Sequence, residues 1–404
     1  MNKEKQNIVP ALRFPEFEGN WNVLKGENIT DKITKGSSPK WQGFNYVDKG
    51  ILFVTSENVR DGFLDISKPK YLEYGFHEKQ KNSQLKKGDV LINIVGASIG
   101  RSTIYNLDIE ANINQAVAIF RVKKHISNNF ISYCLQLDET QESMFGVQSE
   151  SARPNLSLTN LKELIFNIPI YSEQQKIANC LSSLDNLITA ETEKLDHLKD
   201  HKKGLLQQLF PAKGETKPQF RFPEFENDGD WEEKTLGDCL DYLQPTPYLV
   251  SSTDYKDEYA TPVLTAGKTF ILGYSNEKEG IFTDKLPVII FDDFTTASKF
   301  VDFPFKAKSS AMKMLLVKED NNIKFLFETI QNLNFEVSTH KRHWISVFSK
   351  LDILIPKDPK EQEKIANCFS STDDLIKAET TKIETLKAHK KGLMQQLFPN
   401  SITN

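Results

Sequence analysis

Two long stretches of the chain carry apolar residues at alternating steps of four and three positions. The first stretch extends from Ile177 to Leu209, and the second extends from Ile365 to Leu397. This spacing is typical of coiled-coil helices, and a proline-free run of roughly 37 residues makes a helix about 55 Å long. Because neither helix buries its apolar stripe alone, we expect the two to pack antiparallel on each other. The predicted seam consists of Leu184, Ile188, Glu191, Leu195, Leu198, Lys202, Ile376, Glu379, Ile383, Leu386 and Lys390.

Two charged residues interrupt the seam of each helix. An antiparallel arrangement predicts Glu191 beside Lys390 and Glu379 beside Lys202, since buried polar pairs commonly fix the register of coiled coils. The alternative is that these four side chains point to solvent at a loosened part of the seam.

The two helical stretches are near copies of each other. Residues 173–211 and 361–399 are identical at 28 of 39 positions, with a constant offset of 188. A shorter repeat, Arg-Phe-Pro-Glu-Phe, stands at residues 13–17 before Trp21 and again at 221–225 before Trp231. The regions between these markers match only loosely. A copied scaffold that holds unlike bodies indicates two different recognition modules on one repeated frame.

The repeat divides the chain into four segments. We predict a first body at residues 1–170, a first long helix at 171–212, a linker with a second body at 213–356, and a second long helix at 357–404. A chain of 404 residues is long enough for several domains.

Net charge argues against a protein that coats nucleic acid through charge alone. The chain has 51 Lys and Arg against 55 Asp and Glu. Residues 21–170 hold 18 basic and 16 acidic side chains, whereas residues 231–356 hold 14 and 18. Any contact with DNA is therefore expected to be local or shared with a partner. No apolar run approaches membrane-spanning length and no signal segment is evident, so we expect a cytoplasmic protein without membrane contact.

Motifs of catalysis are missing from the sequence. There is no phosphate-binding loop, the glycine-containing stretch 95–101 lacks the dinucleotide pattern, and Pro245-Thr246-Pro247-Tyr248 lacks the Asn/Asp-Pro-Pro-Tyr form of an adenine methyltransferase. The Glu232-Glu233-Lys234 string is too short to indicate a nuclease. The four cysteines are widely separated, which favours reduced, structural thiols and no zinc site. We therefore expect a non-catalytic chain that binds no metal or cofactor itself.

Several repeated motifs carry a resemblance that spans essentially the whole chain. They are EQQKIANCL at 173–181 with its copy at 361–369, KKGLLQQLF at 202–210, KKGLMQQLF at 390–398, and the two RFPEF openings. With these motifs the chain resembles the specificity subunit of a type I restriction-modification enzyme.

The resemblance implies an α/β protein in which two target recognition domains are joined by an antiparallel coiled coil with pseudo-two-fold symmetry. Each domain would read one half of a bipartite, asymmetric site in double-stranded DNA, and the helices would set the gap between the halves. The implied partners are two methylation subunits, which carry S-adenosylmethionine, and two restriction subunits that use ATP and Mg²⁺ for translocation.

Polar, glycine-punctuated turns are the places where such domains are expected to touch bases. The candidate DNA contacts are Lys35, Ser37, Ser38, Trp41, Ser98, Arg101, Asn114, Gln115 and Arg153 in the first body, and Tyr248, Lys268, Thr296, Lys299, Lys341 and Arg342 in the second. The cluster from His340 to Trp344 suits phosphate and base contacts, although it also fits a basic surface turn.

Two other functions stay open at this point. The chain could be an adaptor that displays two protein-binding domains on a coiled coil, or it could serve a system that methylates DNA without a restriction subunit.

Overall fold

A computed structural model describes residues 8–146, 155–267, 269–318, 320–333, 344 and 347–399 of the chain. The chain forms two compact units, and both long helices are divided between them. The first unit contains residues up to Ala190 together with those from Ile383 onwards, and the second contains Glu191–Lys382. No helix in the described ranges is both long enough and apolar enough to span a membrane.

The first body is a mixture of short strands and helices that leads into the first long helix. Its strands are β1 (Asn22–Lys25), β2 (Thr30–Lys35), β3 (Tyr46–Val47), β4 (Ile51–Val54), β5 (Tyr71–Leu72), β6 (Val90–Asn93), β7 (Ser102–Ile104), β8 (Ala111–Ile113), β9 (Val117–Val122) and β10 (Ile165–Ile168). Its helices are α1 (Gly26–Ile29), α2 (Tyr74–Lys79), α3 (Asn128–Gln136), α4 (Asp138–Gly146) and α5 (Leu158–Glu163), followed by the long α6 (Tyr171–Leu209).

The second body repeats this plan with fewer described helices. Its strands are β11 (Glu232–Thr235), β12 (Leu240–Leu243), β13 (Thr261–Leu264), β14 (Ile271–Ser275), β15 (Val288–Asp292), β16 (Ser298–Val301), β17 (Lys306–Ala307), β18 (Met312–Val317) and β19 (Asp352–Ile355). Its helices are α7 (Leu236–Cys239) and α8 (Ile323–Asn332), followed by the long α9 (Pro359–Leu397).

Both bodies are built on the same sheet topology even though their sequences match poorly. Each has a four-stranded antiparallel sheet, in the order β2–β9–β6–β7 in one body and β12–β18–β15–β16 in the other. In the smaller second sheet, β4 pairs antiparallel with β5 and parallel with β8, just as β13 pairs with β14 and β17. The first body has one additional strand in this sheet, β3, which pairs antiparallel with β5. A strand at each end of the body closes it, because β1 pairs with β10 and β11 with β19. These findings confirm the α/β class.

The four-stranded sheet is buried on both faces, which explains its continuous apolar runs. Along β6 and β9, Val90 and Phe120 pack toward the helices, whereas Leu91 and Ile119 pack toward the smaller sheet. The second body follows the same alternation along β15. In each unit the smaller sheet therefore lies on the side of the main sheet that faces away from the long helices.

Each body is joined to the long helix that follows it by the same anchor. The Arg13 guanidinium forms two hydrogen bonds of 2.8 Å with the Glu173 carboxylate, which also accepts one of 3.3 Å from the Trp21 indole. In the second unit Arg221 and Trp231 make the same contacts with Glu361. Hydrogen bonding to these carboxylates raises the pKa of both arginines. The anchor explains why the RFPEF opening, the tryptophan and the start of the EQxKIA motif recur together.

Every predicted seam position is buried or half-buried, and the segments of α6 and α9 run antiparallel within each unit. The predicted register, however, is wrong. Glu191 forms an ion pair with Lys382 and not with Lys390, and the Lys194 ammonium lies 2.6 Å from the Glu379 carboxylate. The expectation that Glu379 points to solvent is also wrong, since it is 5% exposed.

The physical reason for this register lies outside the seam. Lys194 and Lys382 flank the seam with side chains that are 58% and 48% exposed, and from there each reaches a glutamate on the opposite helix. Hydrogen bonding from Lys382 lowers the pKa of Glu191. The seam lysines Lys202 and Lys390 are engaged where the helices pack on the bodies.

Two docking clusters hold these seam lysines. In the first cluster the Lys390 ammonium lies 2.6 Å from the Asp185 carboxylate, which also accepts a hydrogen bond of 2.8 Å from the Tyr133 hydroxyl. In the second cluster the carboxylates of Asp373 and Glu328 lie between the ammonium groups of Lys202 and Lys324, at 2.5–3.0 Å.

Candidate nucleic-acid interface

The turn after β2 packs closely against the turn after β8. Gly36 permits this approach, because a Cβ at this position would lie 1.8 Å from the Ile113 carbonyl oxygen. Four predicted contact residues meet here, of which two are exposed, Lys35 and Gln115, and two are half-buried, Ser37 and Asn114. Ser38 is also half-buried. The two turns therefore form one polar surface with a cation and three side chains able to hydrogen-bond.

Trp41 lies on a single helical turn a few residues further along the same segment. Its side chain is 90% exposed, which is unusual for an indole. The structure therefore places this predicted contact residue fully in solvent.

The turn from Ser98 to Arg101 forms a second group of predicted residues. The buried Asn93 amide donates hydrogen bonds to the Ser98 hydroxyl at 3.2 Å and to the Ser56 and Val59 carbonyls at 3.0 and 3.3 Å. This amide therefore ties the turn to the loop that follows β4.

Sequence reasoning missed two residues on that neighbouring loop. The Asp61 carboxylate lies 3.8 Å from the Arg101 guanidinium, and Phe63 is 59% exposed. The only sequence signal is an aromatic residue after a glycine in an otherwise polar segment. Arg101 thus has a carboxylate beside it and stays 40% exposed, so its guanidinium is accessible for bidentate recognition of a base edge.

In the second body the corresponding hairpin joins β15 to β16. Thr296 adopts a left-handed conformation with φ of 63°, and its amide donates a hydrogen bond to the Asp292 carbonyl. Lys299 follows on β16 and is exposed. Tyr248 lies on a separate turn and is half-buried, with its ring 5.0 Å from the Phe282 ring in an edge-to-face contact. The structure thus brings Thr296 and Lys299 onto one hairpin and places Tyr248 on another segment.

Four predicted contact residues, Arg153, Lys268, Lys341 and Arg342, lie outside the described residues. Trp344, which follows the basic cluster, is described and is 2% exposed. Its ring lies 5.4 Å from the Phe291 ring, and its backbone amide donates a hydrogen bond of 2.9 Å to Asp293. The hypothesis that this aromatic side chain contacts bases is therefore wrong, because it belongs to the core of the second body.

The described residues contain no group of three or more His, Cys, Asp or Glu side chains arranged to hold a metal ion. No disulfide joins the cysteines, and burial raises the pKa of the Cys134 and Cys368 thiols. Because polar turns and single cations dominate these surfaces, the arrangement is suited to binding an anionic polymer through many separate contacts.

The fold and these surfaces define a class of protein: an internally duplicated α/β chain with two loop-bearing bodies on a repeated helical frame. The family model described as "Type I restriction modification DNA specificity domain" matches residues 21–200 and 228–388. The chain belongs to this family and carries two of its domains.

Individual relatives agree with this assignment. The EcoR124I/EcoR124II specificity subunit of Escherichia coli is 53% identical over 136 residues, which is 32% of this chain and 34% of that protein. The putative MjaX specificity subunit of Methanocaldococcus jannaschii is 25% identical over 98% of this chain and 97% of its own length.

Solved structures show the same fold at low sequence identity. The S subunit of a type I restriction-modification system from M. genitalium matches with a TM-score of 0.66 and 14% identity, covering 98% of this chain and all of that one. A chain from a structure of type I system assembly and conformational transition matches with a TM-score of 0.54, 12% identity and 96% coverage of this chain, again over its full length. Specificity subunits are non-catalytic components of type I restriction-modification systems, and this chain is one of them.

Proposed function

We propose that the two bodies each read one half of a bipartite, asymmetric site in double-stranded DNA. The observation that carries the proposal is that the two bodies agree in the order of their main-sheet strands but differ in the residues of their turns. The main sheets of the two bodies share their strand order, whereas the residues at the corresponding turns differ, as residues 98–101 and 293–297 do. Identical readers related by a two-fold axis would read a palindrome, so unlike turns give unlike half-sites.

The predicted contact residues divide by body in this proposal. One half-site is served by the residues of the first body, which are Lys35, Ser37, Ser38, Trp41, Ser98, Arg101, Asn114, Gln115 and Arg153. The other half-site is served by the residues of the second body, which are Tyr248, Lys268, Thr296, Lys299, Lys341 and Arg342. Arg and Lys side chains suit guanine, whereas Asn and Gln suit adenine.

The repeated helices are proposed to set the number of unread base pairs and to bind two methylation subunits. Leu187 and Leu375 occupy equivalent positions in the repeat and are 42% and 57% exposed, which offers two copies of one partner the same apolar side chain. With a formal charge of −4, the chain supplies little phosphate neutralisation by itself, so the partners would supply much of it.

The remaining chemistry is proposed to reside on partner subunits. S-adenosylmethionine would be held by the methylation subunits, and ATP and Mg²⁺ by two restriction subunits, in the cytoplasm where the DNA lies. This chain would bind none of these cofactors itself.

The test is to co-express the chain with its methylation subunit and to map methylated adenines across the host genome by single-molecule sequencing. We expect a two-part asymmetric motif with a fixed gap. Arg101→Ala and Gln115→Ala should relax positions in one half only, and Lys299→Ala should relax the other half. Losing a bidentate base contact weakens discrimination by about 1–3 kcal/mol at one position.

Lys87→Ala is the matched control. Lys87 is an exposed lysine at the opposite end of β6 from the Ser98–Arg101 turn, and it is paired with Asp108. This variant should leave the motif unchanged. If an intact complex that binds S-adenosylmethionine produces no motif, the DNA-reading proposal is wrong and the bodies would be protein-binding modules.

A further inference from the structure

Trp41 is exposed to a degree that sets it apart from the other tryptophans of the chain. Its side chain is 90% exposed, whereas Trp21, Trp231 and Trp344 are 2–3% exposed. An indole is one of the largest apolar groups in proteins, and such a side chain left in water typically marks a binding surface.

The turn that carries Trp41 is well supported from within. Pro39 is buried, and its carbonyl accepts hydrogen bonds of 2.9 and 3.0 Å from the amides of Gln42 and Phe44. The Phe44 ring packs edge-on against Phe76, with 5.6 Å between the ring centroids. Pro39 and Phe44 on either side of the indole are therefore fixed, and both Lys40 and Trp41 are exposed on the turn between them.

Helix α2 holds the same segment from a second side. The Lys79 ammonium donates a hydrogen bond of 3.2 Å to the Gln42 carbonyl, and the Ser37 hydroxyl donates one of 3.1 Å to the Gln80 side chain. The end of α2 is in turn tied to β8, because the buried Asn112 amide donates hydrogen bonds to Gln80 and Ser83. A side chain displayed on such a fixed support loses little conformational freedom on binding, which favours affinity.

The charges around the indole point to the chemistry of its partner. Lys35, Lys40, Lys79 and Lys81 are all exposed, and none of them forms an ion pair within the described residues. Elsewhere in this body ion pairing varies, because Lys25, Lys70 and Lys87 are each paired with a carboxylate whereas Lys32, Lys86 and Lys123 form no ion pair within the described residues. A flat aromatic side chain beside cations suits duplex DNA in which a base step is opened, with the ring on the base face exposed at that step and the cations on the phosphates.

We propose that Trp41 enters a base step within the half-site of the first body, partly unstacks it and stacks on the base exposed there, while Lys40 and Lys79 contact the flanking phosphates. This inference rests on the proposed reading of DNA by that body. On the corresponding hairpin of the second body Phe294 is 43% exposed, whereas the Tyr248 ring is packed against Phe282. Both tryptophans of the second body, Trp231 and Trp344, are buried, so the indole contact is proposed for the first half-site only.

The experiment measures acrylamide quenching of Trp41 in the complex with the methylation subunits. Subtracting the emission of the Trp41→Phe complex from that of the wild-type complex isolates the signal of this indole. The signal is recorded for the chain alone, for the complex without DNA, for the complex with a duplex that carries the mapped site, and for the complex with a duplex in which the half-site of the first body is replaced. We expect only the duplex with the mapped site to lower the quenching.

Affinity gives a second readout. Trp41→Ala should weaken binding to the mapped site roughly 5- to 150-fold, as expected for the loss of one stacked base, and Trp41→Phe should weaken it less because a smaller ring still stacks. Ile109→Ala removes another exposed apolar side chain, 55% exposed in the wild-type chain, and should leave affinity unchanged.

Three results would overturn the stacking proposal. If adding the methylation subunits alone protects Trp41, its partner is a protein surface. If the wild-type complex methylates its motif while the mapped duplex leaves quenching unchanged, stacking is wrong and DNA reading stands. If no motif and no selective duplex binding are found, both proposals fail together.

Discussion

In the first unit the Tyr133 hydroxyl donates a hydrogen bond to Asp185, which is paired with Lys390. In the second unit the equivalent pair is Asp373 with Lys202, and there the body contributes the Glu328 carboxylate, which also pairs with Lys202. Tyr133 and Glu328 each lie six residues after the N-cap of their helix, Ser127 in α3 and Asn322 in α8. The long helices thus present an equivalent aspartate and lysine to both bodies. The first body contacts them with a neutral hydroxyl, and the second body contacts them with a carboxylate.

The buried Glu328 carboxylate of the second body needs an additional cation nearby. Glu328 is fully buried, and Lys324 from the same helix lies 2.8 Å from it as well as 2.5 Å from Asp373. Although burial raises the pKa of Asp373, hydrogen bonds from Lys202 and Lys324 outweigh this effect and lower the pKa below its ordinary value. In the first unit burial raises the pKa of Tyr133 well above its ordinary value, so its hydroxyl stays a neutral donor.

The anchors show the opposite behaviour, since they are the same in both units. Each uses an arginine, a tryptophan and a buried glutamate in the same geometry. The difference indicates which contacts are set by the frame and which by the body. A contact with both partners in repeated segments is copied, whereas a contact with one partner in a body varies.

The largest effect is expected from breaking an anchor. Arg13→Ala and Arg221→Ala each leave a glutamate that is 1% exposed without its cation, and such a loss destabilises a protein by about 3–5 kcal/mol. Because the two anchors have the same geometry, we expect losses of similar size. The measurement is urea unfolding of the full chain in a Trp41→Phe background, followed by the emission of the buried tryptophans.

Arg→Lys at the same two positions is the control for charge. It keeps the cation and loses the two-pronged contact, so its effect should be smaller than that of alanine. A large effect at one anchor and none at the other would contradict the view that the frame sets this contact equally in both units.

The docking clusters should respond unequally. Glu328→Gln removes one of two anions between two partly buried lysine side chains and should destabilise the chain by about 1.5–3 kcal/mol. Tyr133→Phe removes one hydroxyl while Asp185 keeps Lys390, so about 1 kcal/mol is expected. Urea midpoints of the two variants give the comparison, and losses of equal size would show that the ionic character of the second cluster is immaterial.

Much of this architecture could be predicted from sequence, but the partners of particular side chains could not. Spacing alone identifies the seam, because apolar residues recur at heptad steps within each helix, as Leu181, Ile188 and Leu195 do in α6. Composition alone cannot tell that Trp344 is buried, since its neighbours in sequence are basic. Tyr133 and Glu328 gave no signal either, because their helix partners lie 52 and 126 residues away along the chain. The shared sheet order of the bodies was equally hidden, as different apolar residues fill equivalent strands.

The register of the helices was mispredicted for a related reason. The predicted register pairs the seam glutamates with the seam lysines. In the structure the glutamates pair instead with Lys194 and Lys382, which each lie one position before a seam residue. The offset of 188 relates these two lysines to each other, and it also relates Glu191 to Glu379. The two ion pairs, Lys194 with Glu379 and Lys382 with Glu191, are therefore equivalent by the pseudo-two-fold axis.

This equivalence supports the last and smallest prediction. Lys194→Ala and Lys382→Ala should each lower the urea midpoint slightly and by the same amount, less than either docking-cluster variant, because both lysine side chains are about half exposed. At 1 M salt, where the screening length falls to about 3 Å, both effects should shrink together. A double-mutant cycle of Lys194→Ala with Glu379→Gln isolates the pair. An effect confined to one lysine would show that neighbouring bodies, and not the repeated helices alone, determine these two contacts.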